Sequence, residues 1–479
     1  MSKEQFSRRR FLSSMLAAAG ASAAPFALNL AAMGTAAAQT AGDYKAIVCL
    51  FMVGGNDPFN TVVATDPASW SEYTRLRGGN DNGNLALPAP GQSRGLLSIT
   101  PNTAQTGRSF ALHPSLAPLK TLFDGGRAAI VANVGTLVQP TTLAQYNAGS
   151  VALPPKLFSH NDQQSVWQSG GPEGTASGWG GRMGDLVASG NGNATFTSIS
   201  TAGNTVFLSG RSVRQFQVHP NGNPPVEVLT GSLFHTTPAG NSLQSIITAS
   251  SNDPMEKEYA AIMQRAIASQ SVLASSLPAA GANGVPDPSA FVSPVTGQSS
   301  VNPLAKQLQM VARLIAGRGG MGAKRQVFYV NMAGFDTHST QLDDHAELLA
   351  KVAHAIAYFD NMMASLQGTD MRKQVTLFTA SDFGRTFASN GDGTDHGWGS
   401  HHFVVGGAVK GKDIYGVFPP SGEGHALDVG SGALLPTVSV DQYGATLASW
   451  FGLSAAQIAD VFPNIGNFST RNLGFMNAA

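Results

Sequence analysis

The chain has 479 residues, with 29 basic and 29 acidic side chains, a formal net charge of +0 and only 12% charged residues, against roughly 25% in an average soluble protein. It shows no basic patch, so nucleic acid is a poor partner. A single cysteine, Cys49, rules out an internal disulfide or a thiolate metal site, leaving Asp, Glu, His, Asn or hydroxyl groups to hold any metal.

Residues 1–38 read as a twin-arginine export signal. Ser7-Arg8-Arg9-Arg10-Phe11-Leu12 is followed by an Ala-rich stretch and by Ala36-Ala37-Ala38 before Gln39. Pro25 and Asn29 interrupt the apolar run, which argues against a stable membrane span. The expectation is a chain exported by the twin-arginine machinery to the periplasm or an equivalent extracytoplasmic space. Residues 39–479 then form an α/β domain with a smaller β-rich insertion around 195–300.

The first predicted element, Lys45–Val53, is a nearly continuous apolar run, as in a strand buried on both faces of a parallel sheet. It ends in Gly54-Gly55-Asn56-Asp57. Residues 64–110, rich in Gly, Asn and Pro, predict a long surface excursion. A helix over 114–126 and a buried strand over 127–134 follow. Ser159 or Asn161 stands where a helix N-cap belongs. Residues 195–235 alternate as short antiparallel strands do, 255–277 has helical spacing, and 278–302 is linker-like. After a helix at 304–316, the strand 326–332 runs into Gly334-Phe335-Asp336-Thr337-His338. A long helix covers 342–366, and a strand at 375–378 delivers Ser381, Asp382 and Arg385 to a turn. Asp395, His396, His401 and His402 then crowd a polar segment, and helices over 438–451 and 455–461 close the chain.

Strands alternating with helices predict an α/β fold with a largely parallel central sheet flanked by helices. Asp57, Asp336 and Asp382 each follow a buried-strand candidate. Carboxyl ends of such strands face one crevice, so three distant carboxylates are expected to converge there.

GGND after the first strand, GFDTH after a middle strand and SDFGR…DHG near the end together resemble a family of twin-arginine-exported bacterial proteins of unknown function. That family is related to the alkaline phosphatase and sulfatase superfamily. The resemblance implies an alkaline phosphatase-like fold and a divalent metal, zinc or calcium. It implies Asp57, Asp336, His338, Asp382 and His396 as metal ligands, with His345 a second option beside Asp336. Phe383 stands where the phosphatases carry a metal-binding histidine. A rival alignment pairs Asp395 with His396 and takes His401 or His402 as the last ligand. By position Ser159 is the nucleophile, and Arg385 contacts the anion. The implied reaction is hydrolysis of phosphate or sulfate esters, of a small molecule or a polymer. The alternative is a non-catalytic binding or assembly protein that keeps the fold.

Each residue also has a plainer role. Asp57 can shape a turn, Asp336 and Thr337 can cap a helix, Ser159 can be an N-cap, and Arg385 can pair with Asp382. His160, a lone loop histidine, reads as a base or an anion contact only against a stronger structural reading. Adjacent His401 and His402 point to opposite faces if they lie in a strand. His345 and His354 fit packing or surface positions of a helix.

Overall fold

A computed structural model describes residues 44–78, 84–222, 239–249 and 251–477; the export-signal reading of residues 1–38 lies outside them. Among the described residues, no helix is long and apolar enough to cross a membrane.

The strand Lys45–Val53 (β1) is the centre of the molecule. Its side chains alternate between two cores. Ala46, Val48, Leu50 and Met52 face one, and Ile47, Cys49 and Phe51 the other, as the two-residue period of a strand requires. β1 pairs in parallel with β10 (Arg325–Ala333) and with β11 (Val375–Ser381). Met52 lies level with both Met332 and Ser381, so the three strands end side by side. The nine-stranded sheet continues on one side through β6 (Ser198–Ser200) to β7 (Phe216–Gln217). On the other side it runs through β14 (Ser400–Val405) and β5 (Ala128–Gly135) to β15 (Ile414–Tyr415), and β16 (Val438–Ser439) also pairs with β5. Only β14 runs against its neighbours, so the expected largely parallel sheet flanked by helices is what the chain forms.

Helices cover both faces. α2 (Ala117–Asp124), α6 (Pro303–Ala316) and α7 (Gln341–Ala364) pack on one core. α4 (Trp179–Val187), α8 (Val440–Phe451) and α9 (Ala455–Val461) pack on the other.

Two local expectations are corrected. The excursion at 64–110 contains α1 (Pro67–Arg77) and the strands β3 (Leu97–Ile99) and β4 (Phe110–Leu112), which join β2 (Val62–Ala64) in a small antiparallel sheet. Within 195–300, β6 and β7 extend the main sheet in parallel, and the longest element among the described residues of the stretch is the helix α5 (Pro254–Ser276). Among the described residues of that stretch, the antiparallel part is the two-residue pair β8 (Phe291–Val292) and β9 (Ser299–Ser300). Alternation alone cannot tell a short edge strand of a large sheet from a separate hairpin.

α8 begins with a capping box, in which Ser439 and Gln442 satisfy each other's backbone N–H groups. Asp441 in its first turn is buried and its carboxyl is pushed up to about 6, mainly by burial, although the Asn464 N–H and Arg182 oppose the shift. A carboxyl with a raised native pKa gives stability that is present below its unfolded value near 3.9 and lost as pH rises through 6. Asp441→Asn, which keeps the acceptor for Asn464, is therefore expected to raise stability at neutral pH by up to about 3 kcal/mol. The gain should disappear at pH 4, as read from denaturant unfolding at the two pH values.

Candidate metal centre

Two glycines make the crevice at the strand ends possible. Gly54 has φ +119, and a Cβ there would lie 2.4 Å from the Asp336 backbone nitrogen; at Gly55, φ +88, it would meet the Phe383 ring at 2.5 Å. Their absence of side chains lets the β10 loop and Phe383 close over the end of β1.

Into this space come three imidazoles. His160 is the first residue of α3 (His160–Ser169). His338 follows β10. His396 ends β13 (Thr394–His396), which pairs with β12 (Arg385–Ser389) so that His396 lies opposite Arg385. The His160 Nδ1 faces Asp382 Oδ2 at 2.7 Å, the His396 Nδ1 faces the Phe158 carbonyl at 2.7 Å, and the His338 Nδ1 faces Asp395 Oδ1 at 3.3 Å. A carbonyl or carboxylate oxygen only accepts, so the Nδ1 of His160 and of His396 carries a hydrogen and each of these two rings turns its Nε2 inward.

Those nitrogens meet. The His396 Nε2 is 3.1 Å from the His160 Nε2, 2.9 Å from the His338 Nε2 and 3.1 Å from Asp336 Oδ1. Asp336 lies 3.3 Å from the His160 Nε2 and 3.1 Å from the His338 Nε2. Acceptors this close repel unless a cation sits among them. Zinc bonds of about 2.0–2.1 Å in tetrahedral geometry separate ligand atoms by about 3.3–3.4 Å, near the spacing seen. His160, Asp336 and His396, whose ligand atoms all lie within 4.8 Å of one another, thus form a donor set that fits a divalent metal, and His338 stands beside His396 and Asp336. The His338 and Asp336 side chains are 44% and 42% exposed, so the cluster opens to solvent on that side.

A second layer fixes the ligands. Asp382, fully buried, also accepts from Gln164 Nε2 at 2.8 Å and from the Gly54 N–H at 3.1 Å. Its hydrogen bond raises the pKa of His160, with burial opposing. Burial lowers that of His396, against its bond to the Phe158 carbonyl. Arg385 donates to Asp336 Oδ1 at 2.8 Å, to the Gly54 carbonyl at 3.1 Å, and to both oxygens of Thr394. Burial would raise the Asp336 carboxyl, but the Arg385 bond and charge hold it below its ordinary value.

Asp336, His338 and His396 thus meet in one cluster, and Asp382 stands behind it as the partner of His160. Asp57 does not join them, which corrects its assignment as a ligand. Its carboxylate accepts from Arg77 at 2.5 and 3.1 Å, from Gln341 Nε2 at 2.6 Å and from the Phe59 N–H at 3.0 Å, with both charged side chains fully buried. Arg385 pairs with Asp336, not with Asp382, and its buried guanidinium is no open anion contact. The Ser159 Oγ donates to Asp162 Oδ2 at 2.8 Å and caps no backbone N–H of α3. His345, buried in α7, bonds Asn56. His354 meets Ser289 and Asn302. His401 and His402 are buried in β14, where the first lies tilted against Phe418 and the second stacks on Tyr443; burial brings the pKa of each down to about 3.

His160 is the ligand-type residue the sequence obscures. The available signal is Phe383, at the position where the resemblance implies a histidine. The His160 ring lies 4.8 Å from that of Phe383 and takes up the bond to Asp382 from a different element.

Several solved structures are similar in outline. One is a Bacteroides thetaiotaomicron protein from a core genetic locus for metabolism of multiple glycosaminoglycans, at 10% identity, covering 88% of this chain and 74% of that one, with a TM-score of 0.35. A 2-O GAG sulfatase matches at 8% identity over 86% and 71%, with a TM-score of 0.30. The alkaline phosphatase from the Antarctic bacterium TAB5 matches at 9% identity over 76% and 92%, with a TM-score of 0.18. At these scores the overlap transfers no chemistry. No curated protein matches the chain. A family model does match, over residues 44–460, and the chain belongs to that family, described as "Protein of unknown function (DUF1501)".

Proposed function

We propose that the protein is an exported, metal-dependent hydrolase of phosphate or sulfate esters, with His160, Asp336, His338 and His396 as the metal ligands. The observation that carries this reading is the convergence of the His160 and His396 Nε2 atoms on Asp336, each ring held from behind by an oxygen, with the His338 Nε2 beside them. Imidazole-rich sites suit zinc, whereas calcium takes oxygen ligands, so zinc is favoured over calcium. A bound metal of this kind polarises an ester oxygen and acidifies a hydroxyl or water.

The chain's own residues supply the rest. Arg385 fixes the Asp336 oxygen, and Asp382 fixes the His160 ring. The start of α3, whose first N–H groups Ser159 leaves uncapped, favours negative charge beside the cluster. Ser159 remains the candidate nucleophile, with Asp162 the acceptor for its proton.

A non-catalytic metal protein is the second reading, and Arg385 favours it. The buried guanidinium is spent on Asp336, Gly54 and Thr394, so an anionic ester gains no arginine from it. Elemental analysis of the purified protein, followed by assays on 4-nitrophenyl phosphate and 4-nitrophenyl sulfate, separates the cases. One bound zinc with chelator-sensitive hydrolysis is expected. Bound zinc without turnover of either ester would leave the binding reading, and no bound metal would sink both.

A further inference from the structure

The turn ahead of α3 is wound in an unusual way. Lys156 has φ 43 and Phe158 φ 71, a left-handed conformation that bulky residues rarely adopt. Such backbone persists only where its surroundings over-determine it, and it clusters at functional sites.

Here the surroundings converge on Gln163, which is buried on α3. Its Nε2 donates to the Pro155 carbonyl at 2.7 Å and lies 3.4 Å from that of Lys156, while its Oε1 accepts from Thr136 Oγ1 at 2.7 Å. The carbonyls can only accept, so the orientation of the amide is forced. Thr136 is tied in turn by the Trp398 indole, which donates to its carbonyl at 2.8 Å. Phe158 packs against the same apolar cluster as Trp398. At the far end of the turn, the Phe158 carbonyl accepts the His396 Nδ1–H at 2.7 Å.

We propose that Gln163 is a positioning residue for the metal centre. It clamps the left-handed turn so that the Phe158 carbonyl faces His396, and so aims the His396 Nε2 at Asp336. The inference rests on the metal-centre reading above. Removing an outer-shell partner of a metal-bound histidine ordinarily costs about 10–100-fold in affinity. Here the outer partner is a backbone carbonyl, and it can be displaced only through whatever holds its turn.

The test measures zinc affinity by chelator competition, and the visible spectrum of the cobalt-substituted protein, on the full chain and three variants. Gln163→Met should weaken zinc by about 10–100-fold and alter the cobalt spectrum. Thr136→Val, which loosens the clamp at one point, should move both readouts the same way by less, and it decides the matter if Gln163→Met does not fold. Gln168→Met on the same helix removes buried bonds to Thr205 and Phe207 far from the turn. It should lower the melting temperature and leave zinc affinity at the parent value. Parent-like zinc binding in Gln163→Met and Thr136→Val, or an equal loss in Gln168→Met, overturns the positioning role while leaving the metal centre standing. A parent protein that binds neither zinc nor cobalt overturns both.

Discussion

His396→Ala is expected to weaken zinc binding by several hundred-fold while leaving the protein folded. A zinc site with four protein ligands gains about 10–16 kcal/mol from them in total, so one ligand in four is worth about 3–4 kcal/mol. Every 1.4 kcal/mol is tenfold in affinity, so the loss amounts to roughly two to three decades. The His396 Nε2 is the common neighbour of His160, His338 and Asp336, so its removal also relieves the crowding of acceptors in the metal-free state. The variant's metal-free stability should stay within about 1 kcal/mol of the parent, in the usual range for losing a half-buried side chain. Competition with a coloured chelator measures the first effect and urea unfolding without metal the second. Parent-like zinc affinity would remove His396 from the centre.

Asp57→Asn should behave in the opposite way, costing stability and sparing metal. Asp57 and Arg77 are both fully buried, and Arg77 reaches the carboxylate with two nitrogens. Burial alone would raise the Asp57 carboxyl, but the Arg77 charge and hydrogen bonds bring it below its ordinary value. Neutralising one partner strands the other charge in the core, at a cost of about 3–5 kcal/mol. The new amide hydrogens would also face the donors of Arg77 and Gln341. The folded fraction should keep its full zinc content. A single variant that keeps its stability and loses zinc would return Asp57 to the ligand set.

The sequence made the sheet legible because β1, β10 and β11 are rich in apolar and β-branched residues and each is followed within a few residues by a carboxylate, and strands buried on both faces leave that signature. The meeting of the loops that carry Asp336, His338, Asp382 and His396 was legible for the same reason, but Asp382, expected as a ligand, stands behind the cluster on the His160 Nδ1. Asp57 misled because an aspartate after Gly-Gly-Asn looks the same whether it meets a cation or an arginine. Its partner Arg77 sits in a stretch read as surface, and only the folded chain carries α1 inward. His160 was obscured for a related reason. Its partners Asp382 and His396 lie 222 and 236 residues away, and no local pattern records such a meeting. Gln163 had no signature at all, because its role is defined by carbonyl groups, which every residue has.

The order in which the chain is made gives β1 a particular fate. It is the first strand among the described residues, yet both its neighbours lie hundreds of residues downstream, and the Gly54 N–H waits for an Asp382 oxygen 328 positions away. Contacts of such sequence separation form slowly, because a long loop must close before they give anything back. Until the last third of the chain has emerged, β1 is an apolar segment with two unpaired edges, prone to self-association. Production of the protein should therefore depend more on what shields that nascent segment than on the thermodynamic stability of the finished fold. The cluster of His160, Asp336 and His396 cannot exist before that closure.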